Sequence, residues 1–267
     1  MLAPRTRAAL RVGAALYIAL GLVLFAAPDW AASMFPWSVS PLVAMTIGGW
    51  TLGNGVGLWF AAAAGPAGRV RPTLLYVAVF AAAQLLVTIA FRSALKLDVI
   101  LAVPYLLTLA ITLVATAFGL LELRTTTSIV IEDEEPLTRR VRILLAALAA
   151  FVGALALGGF IAGTGGLSTT GKIFPESLTL FTVRAFAAFY LALAVGLLAL
   201  LLRPGASSAF ALGVTGVALI VPITLAALLH IGAFDFGAKP LGILYLGAYL
   251  IVLFPASLFL WRHRHLA

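Results

Sequence analysis

Eight apolar stretches, each about 16 to 25 residues long and nearly free of charged side chains, follow one another along the chain. A helix of roughly 20 such residues crosses the hydrocarbon core of a bilayer. Hydrophobic residues make up 63% of the chain and charged residues 10%, which leaves too little polar surface to cover a water-soluble globule. We therefore predict an all-α integral membrane protein with eight transmembrane helices. The predicted spans are Val12–Ala27, Pro41–Ala64, Thr73–Phe91, Val99–Leu121, Ile143–Ala162, Leu178–Leu202, Phe210–Ile231 and Leu241–Trp261.

One segment of about 24 residues around the second span occurs twice. Residues 35–58 read FPWSVSPLVAMTIGGWTLGNGVGL, and residues 174–197, shifted by 139 positions, read FPESLTLFTVRAFAAFYLALAVGL. The copies share the Phe-Pro pair and the final Val-Gly-Leu, and Trp50 matches the aromatic Phe189. We therefore predict two parallel four-helix repeats, residues 1–122 and 143–267. A charged cytoplasmic linker, residues 123–142, joins them, and residues 128–133 within it are a candidate short strand.

Both copies carry small residues four positions apart along an apolar helix. Residues at this spacing lie on one face of a helix, and small side chains there form a flat ridge on which another helix packs closely. We expect each repeat to use this ridge for the same contact. The predicted helix-packing residues are Gly49, Gly53 and Gly57 in the first copy and Ala188, Ala192 and Gly196 in the second.

The positive side chains divide unevenly between the two ends of the predicted helices. Of the 17 Lys and Arg residues, twelve fall on the side that carries both termini and the linker, four fall on the other side, and Arg184 lies within a span. Lys and Arg concentrate on the cytoplasmic side of membrane proteins, so we predict that both termini are cytoplasmic. This orientation signal explains the net charge of +8 without a nucleic-acid partner. The excess of Arg over Lys and the abundance of Ala are typical of a GC-rich bacterial genome, so we expect a bacterial inner membrane.

Because each repeat has an even number of helices, the two repeats insert in the same orientation. Their pseudo-twofold axis should then lie along the membrane normal, as in other parallel repeats.

Few polar side chains fall inside the predicted spans. Arg184 lies about two turns into the sixth span, where it can pair with Glu176 or Asp235, reach the outer headgroups, or contact a ligand or lipid phosphate. Asn54 and Gln84 are expected to form hydrogen bonds between helices.

His230 ends the seventh span and is a candidate axial ligand for a chlorin or, alternatively, a helix cap. The sequence has no Cys, no nucleotide-binding or metalloprotease motif and no Asp or Glu at predicted mid-membrane depth, where an ion-coupled transporter normally needs one. We therefore predict no catalytic residue and no metal site, and the sequence does not indicate whether a cofactor is bound. The candidate ligand-binding residues are Arg184, Glu176, Asn54 and His230.

The run FPWSVSPLVAMTIGGW, together with SLTLFTVRAFAAFYLALAVGL in the second copy, resembles an uncharacterised group of bacterial, mostly actinobacterial-type, multi-pass membrane proteins with a W-P-W-x-L-T-P-L-T-A-R-x-x-G-A-like segment. Arg184 matches the Arg of that segment, and Met45 replaces it in the first copy. Pro41 matches its second proline, whereas Leu180 departs from it. The resemblance implies a multi-pass topology and brings no activity with it.

We predict a non-enzymatic function from the scarcity of catalytic side chains and the short loops. The chain is expected to be an accessory or scaffold subunit of a larger membrane complex, or a binder of lipid or another hydrophobic molecule between the repeats. The alternative is a transporter of a small apolar or anionic solute, with Arg184 as its charged contact. The expected partners are the bilayer and other membrane subunits.

Overall fold

The computed structural model describes residues 2–63, 67–125, 135–163, 174–203, 205–240 and 242–266. Within these ranges the chain forms nine α-helices and no strand. The candidate strand at residues 128–133 lies outside them. The helices are α1 (Pro4–Ala26), α2 (Pro28–Ser33), α3 (Pro41–Ala63), α4 (Arg71–Ala90), α5 (Ala102–Thr125), α6 (Arg139–Ile161), α7 (Leu180–Leu202), α8 (Ala206–Leu229) and α9 (Gly242–Arg262).

Seven of the described helices, α1 and α4 to α9, are long and apolar enough to cross a membrane. This agrees with a multi-pass helical membrane protein. The remaining long helix, α3, has 23 residues and no charged side chain, but it is not among the seven. Its glycines, threonines and Asn54 lower its mean hydropathy, although it holds the second predicted span.

Several helix ends differ from the predicted bounds, among them the start of α1 and the two helix ends at the linker. Helix α1 begins at Pro4 rather than Val12, and Pro4 sits in its first turn, where the missing N–H of proline costs little. The carboxylate of Glu122, near the end of α5, accepts hydrogen bonds from the Ala3 backbone N–H and, at 2.7 Å, from the Thr6 hydroxyl. A negative charge at a helix N-terminus is favourable, so Glu122 extends α1 beyond its apolar run.

The second difference concerns the linker. Helix α5 continues to Thr125 and α6 starts at Arg139, so both ends of the predicted linker are helical. The Thr138 hydroxyl caps α6 by accepting from the Val141 N–H at 3.4 Å. At its other end α6 gives way to Gly163, whose φ of 78° favours glycine.

The packing of the helices falls into two groups and one contact surface between them. Among the N-terminal helices, α1 packs on α3 and α5, and α4 packs on α5. Among the C-terminal helices, α6 packs on α7 and α8 packs on α9. The two groups meet where α3 lies against α8 and α4 lies against α7. We call this surface the seam.

Helix α3 is packed on two sides, because a second set of glycines lies on the face that meets α1. A Cβ placed on Gly48 would lie 3.1 Å from the Gly21 carbonyl oxygen of α1, and one on Gly55 would lie 3.0 Å from the Ala14 oxygen. Real Cβ atoms rarely approach so closely. Helix α3 therefore packs backbone against backbone on α1 while its other glycine face lies in the seam.

Candidate functional site

The glycine ridge of α3 forms one half of the seam, against α8. The contacts pair Gly49 with Ile223, Gly53 with Leu219 and Gly57 with Thr215. The partner positions step back by four as the ridge steps forward by four, so the two helices run antiparallel along this contact. A Cβ on Gly53 would lie 2.7 Å from the Leu219 Cα, which is closer than non-bonded carbons approach. Because the ridge glycines have no side chains, the two helices can approach each other to backbone contact.

The corresponding residues of α7 are also buried, and Gly196 among them packs on α4 in the other half of the seam. Ala188 and Ala192 are fully buried, and a Cβ on Gly196 would lie 2.9 Å from the Tyr76 Cβ. Helix α3 thus packs on a helix of the C-terminal group, and α7 packs on a helix of the N-terminal group.

Four aromatic rings fill the space between these two helix pairs: Trp50, Phe80, Phe186 and Phe189, which we call the seam cluster. Trp50 stacks on Phe189, with ring centroids 4.6 Å apart and planes 10° apart. Phe186 meets Trp50 edge-on at 4.7 Å, and Phe80 meets both Trp50 and Phe189 edge-on. Trp50 and Phe189, which match across the shift of 139 positions, therefore contact each other.

A second set of contacts closes the seam near the start of α7. Trp37 stacks on Phe181 at 4.3 Å, and its indole N–H donates to the Thr182 hydroxyl at 3.2 Å. The Ser40 hydroxyl donates to the Glu176 carboxylate. Glu176, a candidate ligand residue, is therefore engaged in joining the two repeated segments.

Arg184 lies on α7, half-buried, and caps the end of α6. Its guanidinium donates to the carbonyl oxygen of Gly159 and, at 2.8 Å, to that of Ala162. The last carbonyls of a helix lack partners within the helix and carry partial negative charge, which a cation there stabilises. In the described chain the guanidinium therefore bonds to main-chain oxygens of α6 rather than to Glu176 or Asp235, which were one of its expected alternatives.

The two amide side chains in the spans behave differently. Gln84 on α4 donates to the Ala185 carbonyl of α7 at 2.8 Å and accepts from the Tyr105 hydroxyl of α5 at 3.3 Å, as expected. Asn54 is fully buried beside the Tyr17 hydroxyl, but neither end of its amide makes a hydrogen bond with the described residues. The expected bond from Asn54 to another helix is therefore not formed among the described residues. The Tyr17 hydroxyl beside it also lies 3.2 Å from the Thr112 hydroxyl.

His230 caps the end of α8. Its ring N–H at Nδ1 donates to the Ala226 carbonyl at 3.1 Å, one turn earlier on the same helix. The four candidate ligand residues thus serve different helices, and the structure does not bring them together into one pocket. Within the described part of the chain no three His, Asp or Glu side chains cluster as metal ligands would.

One group of tyrosines was not predicted from the sequence. The side chains of Tyr190 on α7 and Tyr245 and Tyr249 on α9 lie together, with Thr46 of α3 next to Tyr245. The hydroxyls of Tyr245 and Tyr249 make no hydrogen bond with the described residues. The spacing of Tyr245 and Tyr249, one helical turn apart, was the available signal, but it does not reveal that Tyr190 lies opposite them.

Comparison with protein-family models, with curated proteins and with solved structures finds no match to this chain. The chemistry of the site therefore has to be read from its own residues. Aromatic rings, small side chains and carbonyl-bound donors suit tight helix association.

Proposed function

We propose that this chain is a non-enzymatic integral membrane protein that serves as an accessory or scaffold subunit of a larger membrane complex. The proposal rests on the hydrogen bonds that Arg184 makes. Arg184 is the one charged side chain within a predicted span, and both of its bonded nitrogens serve the carbonyl oxygens at the end of α6. A charge committed to a helix end supports a structural role.

The surface offered to a partner is the side of the molecule formed by α6 and α9. Of the residues Tyr245–Arg262 only 6% are buried, and α6 has 22% of its apolar window buried, compared with 56% for α4 and α7. Gly153 on α6 and Gly247 on α9 have no atom within 4 Å of an added Cβ. Small residues that face no neighbour allow a helix of another subunit to pack closely.

We also propose that the architecture is an eight-span membrane fold made of two parallel four-helix repeats. Reciprocal packing supports it, since α3 lies on α8 and α7 lies on α4. The Trp50–Phe189 stack supports it too, because residues next to a twofold axis contact their own equivalents. Phe35 meets Tyr105 at 5.4 Å and Phe174 meets Tyr245 at 5.3 Å, in matching edge-on pairs. In this proposal α3 also crosses the membrane, in addition to the seven helices of spanning length.

The proposed location is a bacterial inner membrane with both termini in the cytoplasm. The support is the placement of twelve Arg residues on the side of the termini and the linker. Arg262 and the first residues of α6 belong to this side.

The alternatives from the sequence analysis fit these contacts less well. A hydrophobic ligand between the repeats would compete with the seam cluster, whose rings stack at 4.6 Å. A transporter that uses Arg184 as its solute contact would have to take the guanidinium away from the α6 carbonyls.

The test is the mass of the assembly in nanodiscs formed directly from native membranes. We expect a defined complex larger than one chain. Gly247→Trp on α9 should release the partner, whereas Leu107→Trp on α5, at a position 52% exposed, should retain it, with both variants equally stable. A single-chain mass for the wild type would refute the scaffold role. Saturable solute uptake in proteoliposomes that Arg184→Ala abolishes without unfolding would establish the transporter instead.

A further inference from the structure

Four polar side chains inside the N-terminal helix group have an exposed fraction of 0%: Tyr17 on α1, Asn54 on α3, Tyr76 on α4 and Thr112 on α5. We call them the polar core. Each comes from a different helix, and Asn54 lies near the middle of α3, which has no charged side chain. Buried polar groups are costly unless they are hydrogen-bonded, so each donor and acceptor of the polar core needs a partner.

Two members of the polar core bond to each other. The Thr112 hydroxyl donates to the Thr108 carbonyl of its own helix at 2.7 Å. In the 3.2 Å contact between the hydroxyls of Tyr17 and Thr112, Tyr17 is therefore the donor. The Tyr17 oxygen keeps its lone pairs for a further donor, and the Asn54 amide lies beside it.

The other two members have polar atoms without a partner among the described residues. These atoms are the nitrogen and the oxygen of the Asn54 amide and the hydroxyl of Tyr76. An amide has two N–H donors and an oxygen that accepts twice, so even a bond from Asn54 to Tyr17 would leave one N–H and the oxygen unused. Tyr76 lies close to this group, since its ring and that of Tyr17 contact the Phe80 ring at centroid distances of 6.4 and 6.2 Å.

The equivalent positions in the C-terminal helix group carry no such groups. At the shift of 139 positions Asn54 corresponds to Leu193 and Tyr76 to Thr215. Leucine has no polar atom in its side chain, and the Thr215 hydroxyl donates to the Ala211 carbonyl of its own helix at 3.3 Å. The unpartnered amide and phenol are therefore particular to the first group and are not required by the way these helices pack.

The chemistry of the polar core selects a small, neutral ligand that both donates and accepts hydrogen bonds. All four side chains are uncharged, and a cation held deep among apolar helices without a counter-charge would be costly. The complete burial of the four side chains separates them from the lipid, which argues against a larger lipid-soluble molecule. A buried water typically makes about three hydrogen bonds to groups that would otherwise be unsatisfied, and it has both functions.

We propose that the polar core binds a water molecule between α1, α3 and α4. The water donates to the Asn54 amide oxygen and to the Tyr17 oxygen, and it accepts from the Tyr76 hydroxyl. It thereby joins three helices of the N-terminal group through one site, for which the C-terminal group has no equivalent. This inference goes beyond the proposed scaffold role and does not depend on it.

The test is X-ray radiolytic footprinting of the full-length protein in nanodiscs, with the oxidation of each tyrosine read by mass spectrometry. X-rays convert water to hydroxyl radicals in place, so a buried side chain is oxidised where water lies next to it. The control is Tyr105, which is also buried but whose hydroxyl bonds to Gln84 at 3.3 Å. We expect Tyr17 and Tyr76 to be oxidised faster than Tyr105, and Asn54→Leu to lose this difference.

Three outcomes would overturn the proposal. The first is equal oxidation of the three tyrosines in the wild type, which needs no variant to fold. The second is unchanged oxidation of Tyr17 in Tyr76→Phe, which removes a single oxygen and decides the matter if Asn54→Leu unfolds and exposes Tyr105. The third is a fall in Tyr17 oxidation when sodium replaces choline in the buffer, which would indicate a bound cation in place of water.

Discussion

Replacing Gly53 by Ala tests the contact between α3 and α8 with a single added carbon. That Cβ would lie 2.7 Å from the Leu219 Cα and 2.9 Å from the Leu219 N. Non-bonded carbons are most stable at about 3.5–4.0 Å, so the two helices must separate by about 1 Å. The opposing atoms belong to the backbone and cannot rotate away.

The cost follows from overpacking. Extra carbon in a packed interior typically costs about 1–3 kcal/mol, and alanine in a helix interior recovers about 0.5–1 kcal/mol relative to glycine. We expect Gly53→Ala to lower the free energy of unfolding by about 1–2 kcal/mol. Gly53→Leu should lower it further, and so should Ala192→Leu in the second ridge.

The matched control is Gly216→Ala on α8, where an added Cβ meets no atom within 4 Å. It should stabilise the protein slightly, by about 0.5–1 kcal/mol. Unfolding would be followed by tryptophan fluorescence during titration of mixed micelles with a denaturing detergent, since Trp50 is buried in the seam. If Gly53→Ala and Gly216→Ala unfold at the same detergent fraction, the ridge does not set the helix separation and the reasoning fails.

Three further results are expected. Arg184→Gln should cost about 1–2 kcal/mol of stability by leaving the α6 carbonyls unpaired, and Arg184→Lys about half of that; unchanged unfolding midpoints would contradict the cap. In a double-mutant cycle of Trp50→Leu and Phe189→Leu, unfolding free energies should give a coupling of about 0.5–1.5 kcal/mol, whereas additive effects would argue against the stack. A reporter that is active only outside the cytoplasm should be silent when fused after Ala267, and activity there would reverse the proposed orientation.

The all-α class and the approximate positions of the long apolar helices were predictable because their composition suits a bilayer, and a bilayer imposes a simple rule. A backbone in a bilayer must satisfy its own hydrogen bonds, so a long apolar run leaves few choices besides a helix. The glycine spacing likewise indicated a face for close packing. The partner of that face, α8, was not predictable, because a flat ridge fits many apolar helices and the sequence does not rank them.

The polar contacts were harder to predict from the sequence. For Arg184 an acid, the outer headgroups and a ligand were all expected alternatives, but its acceptors are main-chain oxygens, which every residue has and no motif marks. The early start of α1 depends on Glu122, more than 100 positions away, and the meeting of Tyr190 with Tyr249 depends on how α7 and α9 are arranged. Each of these contacts is set by tertiary structure rather than by local pattern.

The two glycine faces of α3 link its contact with α1 to its contact with α8. Helix α3 meets the backbone of α1 at Gly48 and Gly55 and the backbone of α8 at Gly53. A side chain added to either face would push α3 against the helix on the opposite side, where backbone atoms cannot rotate away. The distance between α1 and α8 is therefore fixed by the width of a helix that has no side chains on these two faces.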